Sequence, residues 1–267
     1  MPAIPTRGQV EESVGYIRRQ TPFHPQTAVI LGSGLGDFAD GLPDSTSIPT
    51  SSIPHYPIPT VPGHKGRLVF GSVGGHPIVA LQGRIHFYES RDLNTVLYPI
   101  HVAFELGVRN LLITNAAGGV NRTFSPGDIM VITDQINLTL ERPSIPRGTR
   151  SADLYDREFV KKALVEAERL GIPLMQGVYA GVKGPSYETA AEIDMIARLG
   201  GDAIGMSTVF EVLLANALQI KVLGFSCITN FATGITTQKL NHAEVTEVGN
   251  RVKSTFSRLL TAIIPRL

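Results

Sequence analysis

Apolar residues along this chain follow two patterns: short continuous runs, and longer segments in which they recur at helical spacing. The short runs predict β-strands at 27–31, 67–73, 77–81, 110–114, 129–133, 175–180, 203–207 and 221–229. The helical spacing predicts helices at 7–20, 92–107, 156–170, 189–199, 208–218 and 243–264. Because strands alternate with helices, we predict an α/β fold with a mixed, mostly parallel central β-sheet flanked by helices on both faces.

Turn-forming residues mark the connections between these elements. Gly74-Gly75 predicts a tight hairpin turn between the second and third strands. Residues 43–62 contain six prolines, so we expect them to be extended or irregular, and residues 137–152 resemble a loop. No repeat or dividing linker is evident, so we expect residues 1–267 to form a single domain.

Composition narrows the class of protein. The 267 residues are 43% hydrophobic and 18% charged with a net charge of +1, which does not favour binding to nucleic acid or to a membrane surface. The single cysteine, Cys227, cannot form an intramolecular disulfide. No apolar run approaches the ~18 residues of a membrane span, and the first residues lack a signal peptide's apolar core. We therefore expect a cytoplasmic protein.

Small and polar residues follow the predicted strands. They are Gly32-Ser33, Arg84 with His86, Asn115-Ala116, Ser207 and Asn230. In open α/β sheets, ligands bind outside the carboxyl ends of the strands, so these segments are expected to converge on one crevice.

The first of these segments is a glycine loop, GSGLGD, which follows the strand at 27–31. Such a loop can be a plain tight turn, or its backbone N–H groups and Ser33 can bind a phosphate. A dinucleotide fingerprint needs glycine at position 37, where this chain has Asp, and no Gly-Lys-Ser/Thr follows for a nucleoside triphosphate. A nicotinamide oxidoreductase would also need an acidic ribose-binding residue about 20 positions on, after a second strand. Asp44 lies only twelve residues past Gly32 and a proline-rich segment follows it, so this class fits poorly.

The second segment contains Arg84, His86 and Tyr88 at alternate positions, which places them on one face if the segment is extended. A half-buried strand with a polar outer face would show the same alternation. Arg suits bidentate binding of an oxyanion, His can donate to phosphate or a sugar hydroxyl, and a phenol offers an apolar face to a sugar ring.

The remaining candidates each have an ordinary structural explanation. His64 occupies a loop, Asn115–Gly119 resembles a cap, Glu188 precedes a helix, Asn230 ends a strand, and His242 lies near the start of the last helix. Their shared position and chemistry favour a common site.

The same residues resemble the purine nucleoside phosphorylases of the trimeric class. The motifs are, in order, LGSGLG, PGHKG, GRIHFYE, TNAAGG, GPSYETAAE, GMSTV and TNFATG, and they cover most of the chain. The resemblance implies cleavage of purine (deoxy)nucleosides by orthophosphate, a co-substrate, to the free base and (deoxy)ribose 1-phosphate. It also implies a homotrimer, a role in purine salvage, and no metal or organic cofactor.

The resemblance assigns roles residue by residue. The implied phosphate site is Ser33, His64, Arg84, His86, Asn115, Ala116 and Ser207. The implied ribose site is Tyr88, Met206 and His242, and the implied base site is Ala117, Gly118, Tyr187, Glu188 and Asn230. His86, Glu188 and Asn230 are the implied catalytic residues.

Base preference follows from two of these residues. A Glu188 carboxylate requires an N1–H, which hypoxanthine and guanine have and adenine lacks, and a site built for that bond discriminates strongly. The related methylthioadenosine phosphorylases have Asp where this chain has Asn230, so inosine and guanosine are expected. A methylthioadenosine or adenosine phosphorylase and a non-catalytic nucleoside-binding protein remain as alternatives.

Three positions depart from the family pattern. Many relatives carry Arg-Phe-Pro-x-Met around 140–155, whose Phe reaches the neighbouring subunit's ribose pocket, and residues 146–153 here contain no Phe. Phe210 stands where relatives usually have Pro, which predicts an altered helix start near the site. Tyr187 replaces Phe and adds a hydroxyl.

Overall fold

The computed structural model describes residues 6–144, 153–236 and 242–267. Its helices are α1 Arg7–Gln20, α2 Asp37–Asp40, α3 Phe87–Ser90, α4 Leu93–Leu106, α5 Arg157–Leu170, α6 Ala190–Arg198, α7 Val209–Ala217 and α8 His242–Ile263. Its strands are β1 Thr27–Leu31, β2 Thr46–Pro49, β3 Arg67–Val73, β4 His76–Gln82, β5 Asn110–Gly119, β6 Ile129–Asn137, β7 Leu174–Gly181, β8 Ala203–Gly205 and β9 Lys221–Phe231. All the predicted helices and strands are present.

The described strands pair in the order β2-β3-β4-β1-β5-β8-β7-β6-β9. Five of the nine pairings are parallel and four are antiparallel, so the mixed, mostly parallel sheet is confirmed. Strand β9 also pairs with β5, which closes β5, β8, β7, β6 and β9 into a ring. The open sheet assumed from the sequence is therefore open only on the β2 side.

Side chains of β1 alternate between two apolar layers. Ala28 and Ile30 join a core with residues of α1, α4 and α7, and Val29 and Leu31 join a second core with residues of α5 and α8. This alternation follows from the two-residue period of a strand and explains why both faces of the sheet carry helices.

Strand ends differ from the predicted ones where small residues pair. The segment Asn115–Gly119, expected as a loop after the strand, continues β5 because it pairs with β9 as far as Phe231. The register shifts between Ala117 and Gly118, a bulge that turns the strand beside the cavity described below. Strand β6 likewise extends to Asn137.

The proline-rich segment 43–62 contains one strand that the sequence did not predict. Strand β2 pairs with β3 alone, at the edge of the sheet, where Pro49 removes no bond from a second neighbour. The hairpin prediction is confirmed, since β3 and β4 are antiparallel around Gly74-Gly75. Among the described residues, no helix is long and apolar enough to cross a membrane.

Candidate active site

The carboxyl ends of several strands surround a cavity of about 390 Å³. Thirteen of the predicted site residues line it: Ser33, Arg84, His86, Tyr88, Asn115, Ala116, Ala117, Gly118, Tyr187, Glu188, Met206, Ser207 and Asn230. His64 lies behind Ser33, as described below. His242 is the first residue of α8, but its side chain lies outside the described part of the chain.

The glycine loop is held tightly against the end of β5. The Gly32 N–H donates to Thr114 Oγ1 at 3.0 Å, and a Cβ on Gly32 would lie 2.8 Å from the Asn115 Cα. On its other side, the buried Gln82 amide donates to the Gly36 carbonyl at 2.6 Å. Only glycine allows this close approach at position 32, and the loop brings Ser33 to the cavity wall.

Arg84 is buried in the wall of the same end of the cavity. Its Nη1 donates to Ser207 Oγ at 2.8 Å and to Thr208 Oγ1 at 3.0 Å, and its Nη2 donates to the Thr114 carbonyl. Nη1 also lies 3.6 Å from Glu211 Oε1. The guanidinium is therefore fixed by β5, by the turn between β8 and α7, and by α7, and the sequence alone does not show that these segments meet Arg84.

Thr208 occupies a strained turn between β8 and α7. Its φ of 77° and ψ of −51°, with the Val209 N–H donating to the Ser207 carbonyl at 2.8 Å, form the rare γ-turn in which φ is positive. Its hydroxyl oxygen accepts from Arg84 and, at 2.9 Å, from Asn115 Nδ2. A β-branched residue is held in this conformation by polar contacts on several sides, a feature that clusters at functional sites.

His86 is oriented by a carboxylate. Glu89 Oε1 accepts from the His86 backbone N–H at 2.6 Å and lies 3.0 Å from His86 Nδ1, while Oε2 accepts from the backbone N–H and hydroxyl of Thr60. Burial alone would raise the pKa of Glu89, but these hydrogen bonds outweigh it and lower the pKa to about 2. Glu89 therefore remains a carboxylate that keeps the His86 ring in place.

The three residues of the Arg-x-His-x-Tyr motif reach the cavity, but not as an extended strand. Tyr88 lies in α3, and its ring stacks on the His86 ring with centroids 5.0 Å apart. His86 also stacks on His64, at 5.3 Å. The extended conformation on which that alternation depends ends at His86, because the chain turns into a helix there.

His64 packs behind Ser33 and Arg84 at this end of the cavity. Its Nδ1 donates to the Arg84 carbonyl at 2.9 Å, and its Nε2 lies 3.2 Å from Ser33 Oγ. Burial, with a further contribution from His86, lowers the pKa of His64 to about 4. The imidazole is therefore neutral near pH 7 and contacts Ser33 without adding a charge to the cavity.

The opposite end of the cavity carries a carboxylate and an amide. Glu188 precedes α6, whose N-cap is Thr189, and burial raises the pKa of Glu188. Asn230 Oδ1 accepts from the Thr229 hydroxyl at 2.9 Å, and its Nδ2 donates to the Phe231 carbonyl at 3.0 Å. One Nδ2 hydrogen thus stays free to donate to a ligand.

Between these ends the wall is shaped by close packing. Gly184, with φ of 65°, packs so near Met206 that a Cβ would lie 2.4 Å from the Met206 sulfur. Tyr88 also packs against this glycine, since its Cδ1 would lie 3.0 Å from the same Cβ. Met206 and Tyr88 together offer an apolar surface between the polar ends.

The structure can be compared with each of the three departures from the family pattern. Phe210 is buried in the first turn of α7, and its ring packs on Phe87 at 5.6 Å, so α7 starts at Val209 without proline. Tyr187 lines the cavity and is 49% exposed. Most of the loop expected to close the ribose pocket, 145–152, lies outside the described residues.

The cavity thus joins an end with a guanidinium, hydroxyls and an imidazole to an end with a carboxylate and an amide. The family model for the phosphorylase superfamily matches residues 26–265. The chain belongs to the phosphorylase superfamily. Purine nucleoside phosphorylase 1 of Bacillus subtilis is 44% identical over 97% of this chain and 98% of its own, and the mouse purine nucleoside phosphorylase is 40% identical over 95% and 93%.

Solved structures show the same likeness within this superfamily. The Schistosoma mansoni purine nucleoside phosphorylase in complex with inosine has a TM-score of 0.92 and 35% identity, covering 99% of this chain and 98% of that chain. The complex with adenosine has a TM-score of 0.91 and 34% identity, covering 99% of both. The resemblance to purine nucleoside phosphorylases is confirmed.

Three residues that support the site were not predicted from the sequence: Glu89, Thr208 and Glu211. Glu89 was visible as an acidic residue three positions after His86, the spacing of a capping box, which the structure contains. Glu211 was visible as a lone charge in the apolar run VFEVLLANA. Nothing in the sequence marks Thr208, because its role depends on a backbone conformation.

Proposed function

We propose that this protein is a purine nucleoside phosphorylase that catalyses reversible phosphorolysis of 6-oxopurine (deoxy)ribonucleosides, such as inosine and guanosine. The observation that carries the proposal is the single cavity in which Ser33, Arg84 and His86 lie at one end and Glu188 and Asn230 at the other. The family membership and the near full-length identity to purine nucleoside phosphorylases support it.

The first end suits orthophosphate. Phosphate is largely dianionic near neutral pH, and burying it requires donors and positive charge. The guanidinium of Arg84, the hydroxyls of Ser33 and Ser207 and the backbone of the glycine loop supply both. His86, whose Nδ1 is paired with Glu89, lines the same end, and its Nε2 donates to phosphate when the ring is protonated.

In the reaction, a phosphate oxygen attacks C1′ and the bond between C1′ and N9 of the purine breaks. The sugar passes through an oxocarbenium-like state, which the phosphate stabilises from below the ring. The electron pair of the broken bond leaves with the base, and a proton that orthophosphate carried at neutral pH is taken up by the base. The products are the free purine and (deoxy)ribose 1-phosphate.

The second end stabilises the leaving purine. Glu188 accepts from N1–H of a 6-oxopurine, and the free Asn230 hydrogen donates to N7 or the 6-oxo group as negative charge develops there. A single hydrogen bond of this kind, made only in the transition state, contributes about 3 kcal/mol. The base itself lies against the small residues Ala117 and Gly118, which leave room for a planar ring.

Further properties belong to the same proposal. Orthophosphate is the nucleophile and no metal or organic cofactor takes part. The active form is a homotrimer in the cytoplasm, acting in purine salvage. The exposed, cavity-lining ring of Tyr187 and the 92% exposed Leu140 support an assembly that covers them. Light scattering tests the trimer, since a mass of three 28.8 kDa chains is expected.

The experiment that tests the function measures base release from inosine, guanosine and adenosine, each with and without orthophosphate. Release from the first two that requires phosphate, with little from adenosine, is expected. Phosphate-independent release would make the protein a hydrolase. Comparable adenosine turnover would contradict the assignment of the base end without contradicting the phosphate site. Turnover must be measured because a relative binds adenosine in a solved structure.

A further inference from the structure

A buried carboxylate that does not line the cavity lies next to Arg84 of the proposed phosphate site. Glu211 lies in α7 with a side chain only 4% exposed, and its Oε1 is 3.6 Å from Arg84 Nη1, whose own side chain is also 4% exposed. Among the described residues Glu211 Oε2 has no hydrogen-bond partner, and neither has Arg84 Nε. Two opposite charges are thus buried side by side with hydrogen-bonding capacity unused.

The neutral contacts of Arg84 already fix its geometry. Ser207, Thr208 and the Thr114 carbonyl accept from its two terminal nitrogens. Glu211 adds no short hydrogen bond to them, so its contribution is charge rather than orientation. A buried guanidinium without a counter-ion would be strongly unfavourable, and Glu211 is the carboxylate that pairs with it.

We propose that Glu211 acts on the phosphate site through Arg84, as its counter-ion in the free enzyme, and that it thereby sets the affinity for orthophosphate. This inference rests on the proposed function. When phosphate binds, its negative charge and that of Glu211 face the same guanidinium and repel each other. The carboxylate therefore stabilises the empty site and weakens phosphate binding, which favours turnover in both directions by keeping the anion exchangeable.

The test is Glu211→Gln, which keeps the shape and removes the charge. Titration calorimetry with orthophosphate is expected to give a Kd lower by about fivefold or more than that of the unsubstituted protein, with a parallel fall in the phosphate KM. Without phosphate, the variant is expected to unfold at a lower temperature, because Arg84 has lost its counter-ion. Saturating phosphate should recover much of that loss.

A matched control is available elsewhere in the fold. Glu166 is a buried carboxylate of α5 that pairs with Arg169 at 2.7 Å and with Arg266 at 3.4 Å and does not line the cavity. Glu166→Gln removes the same charge from a carboxylate that is also paired with arginine, although Arg169 and Arg266 are 58% and 60% exposed and Arg84 only 4%. It is expected to lower the unfolding temperature and leave the phosphate Kd unchanged, which separates loss of stability from loss of the counter-ion.

A double variant covers the case in which Glu211→Gln does not fold. Arg84→Gln combined with Glu211→Gln removes both charges, so it is expected to be more stable without phosphate than Glu211→Gln alone. If the double variant also fails to fold, the unpaired charge of Arg84 is not what destabilises Glu211→Gln, and the inference is wrong.

Two other outcomes are decisive. A phosphate Kd of Glu211→Gln equal to or weaker than that of the unsubstituted protein would contradict the inference while leaving the proposed function intact. An unsubstituted protein that neither binds orthophosphate nor gains stability from it would contradict the proposed function itself.

Discussion

At the scale of single residues, Asn230 is expected to decide which purine the cavity accepts. Thr229 holds its Oδ1, so the amide presents a donor to N7 and the 6-oxo group. In Asn230→Asp this donor is lost for 6-oxopurines, whereas a protonated Asp can share its proton with N7 of a 6-aminopurine. We expect kcat/KM for inosine to fall about 10²-fold while that for adenosine rises. Equal losses on both nucleosides would show that Asn230 does not discriminate between them.

Glu188 is expected to control the acid side of the pH profile. It must be ionised to accept from N1–H, and burial raises its pKa above the ordinary value, so inosine turnover should decline at a higher pH than a free carboxyl would impose. In Glu188→Gln that acid decline should disappear, with a lower rate throughout. Glu192→Gln, in the exposed first turn of α6, keeps a side-chain oxygen that accepts from the Thr189 N–H in the capping box, and it is the matched control. An unchanged acid limb in Glu188→Gln would exclude Glu188 as its source.

The sequence predicts which residues belong to the site better than it predicts what surrounds each of them. Ser33, Arg84, Glu188 and Asn230 were identifiable because loops after strands meet at one sheet edge and because the motifs match a family. The charge of Glu211 was visible, but its partner was not, because Arg84 lies 127 positions away and meets it only through the fold.

At the scale of elements, the contact between the glycine loop and β5 should tolerate no side chain. In Gly32→Ala the new Cβ would lie 2.8 Å from backbone atoms of Thr114 and Asn115, neither of which can move without shifting β5. We expect a loss of about 1–3 kcal/mol in the free energy of unfolding and a weaker phosphate site. Chemical denaturation and the phosphate KM measure the two effects.

The matched control lies in α1. Gly15 is helical, and a Cβ there would meet only the tip of Arg19 at 3.7 Å, so Gly15→Ala is expected to stabilise the protein by about 0.5–1 kcal/mol. If Gly32→Ala were as stable as the unsubstituted protein and bound phosphate normally, the proposed packing of the loop would be wrong.

Element positions followed from local patterns, and element ends did not. Helix α1 matches its predicted range because Thr6 caps it and its apolar stripe is regular. Strand β5 runs past its apolar part because its small residues pair with β9 and β8 in the closed ring. That pairing joins segments far apart in the sequence, which a local pattern cannot reveal.

At the scale of the whole molecule, the buried neutral His64 links stability to pH. Its pKa falls from 6.5 in an unfolded chain to about 4 in the folded protein, so between these values only the unfolded chain binds the proton. Stability should therefore decrease as the pH falls through this window. The pKa of Glu89 falls from an ordinary value of 4.5 to about 2 in the folded protein. Its protonation therefore lowers stability in a second window, at a lower pH than that of His64.

Thermal unfolding at about pH 7 and about pH 5 checks this dependence. In His64→Asn the drop in unfolding temperature between the two values should be smaller than in the unsubstituted protein. His76→Asn, at the exposed hairpin turn, should keep the full drop. An identical drop in all three proteins would exclude His64 as a source of the acid sensitivity.

The central claim is that the cavity beside the glycine loop binds orthophosphate as the nucleophile. The most direct measurement follows inosine incubated with fully ¹⁸O-labelled orthophosphate, with ribose 1-phosphate detected by mass spectrometry. The account predicts ribose 1-phosphate that retains every label, because a phosphate oxygen forms the new bond to C1′ while no P–O bond breaks. Unlabelled ribose in place of ribose 1-phosphate would identify water as the nucleophile and contradict the account.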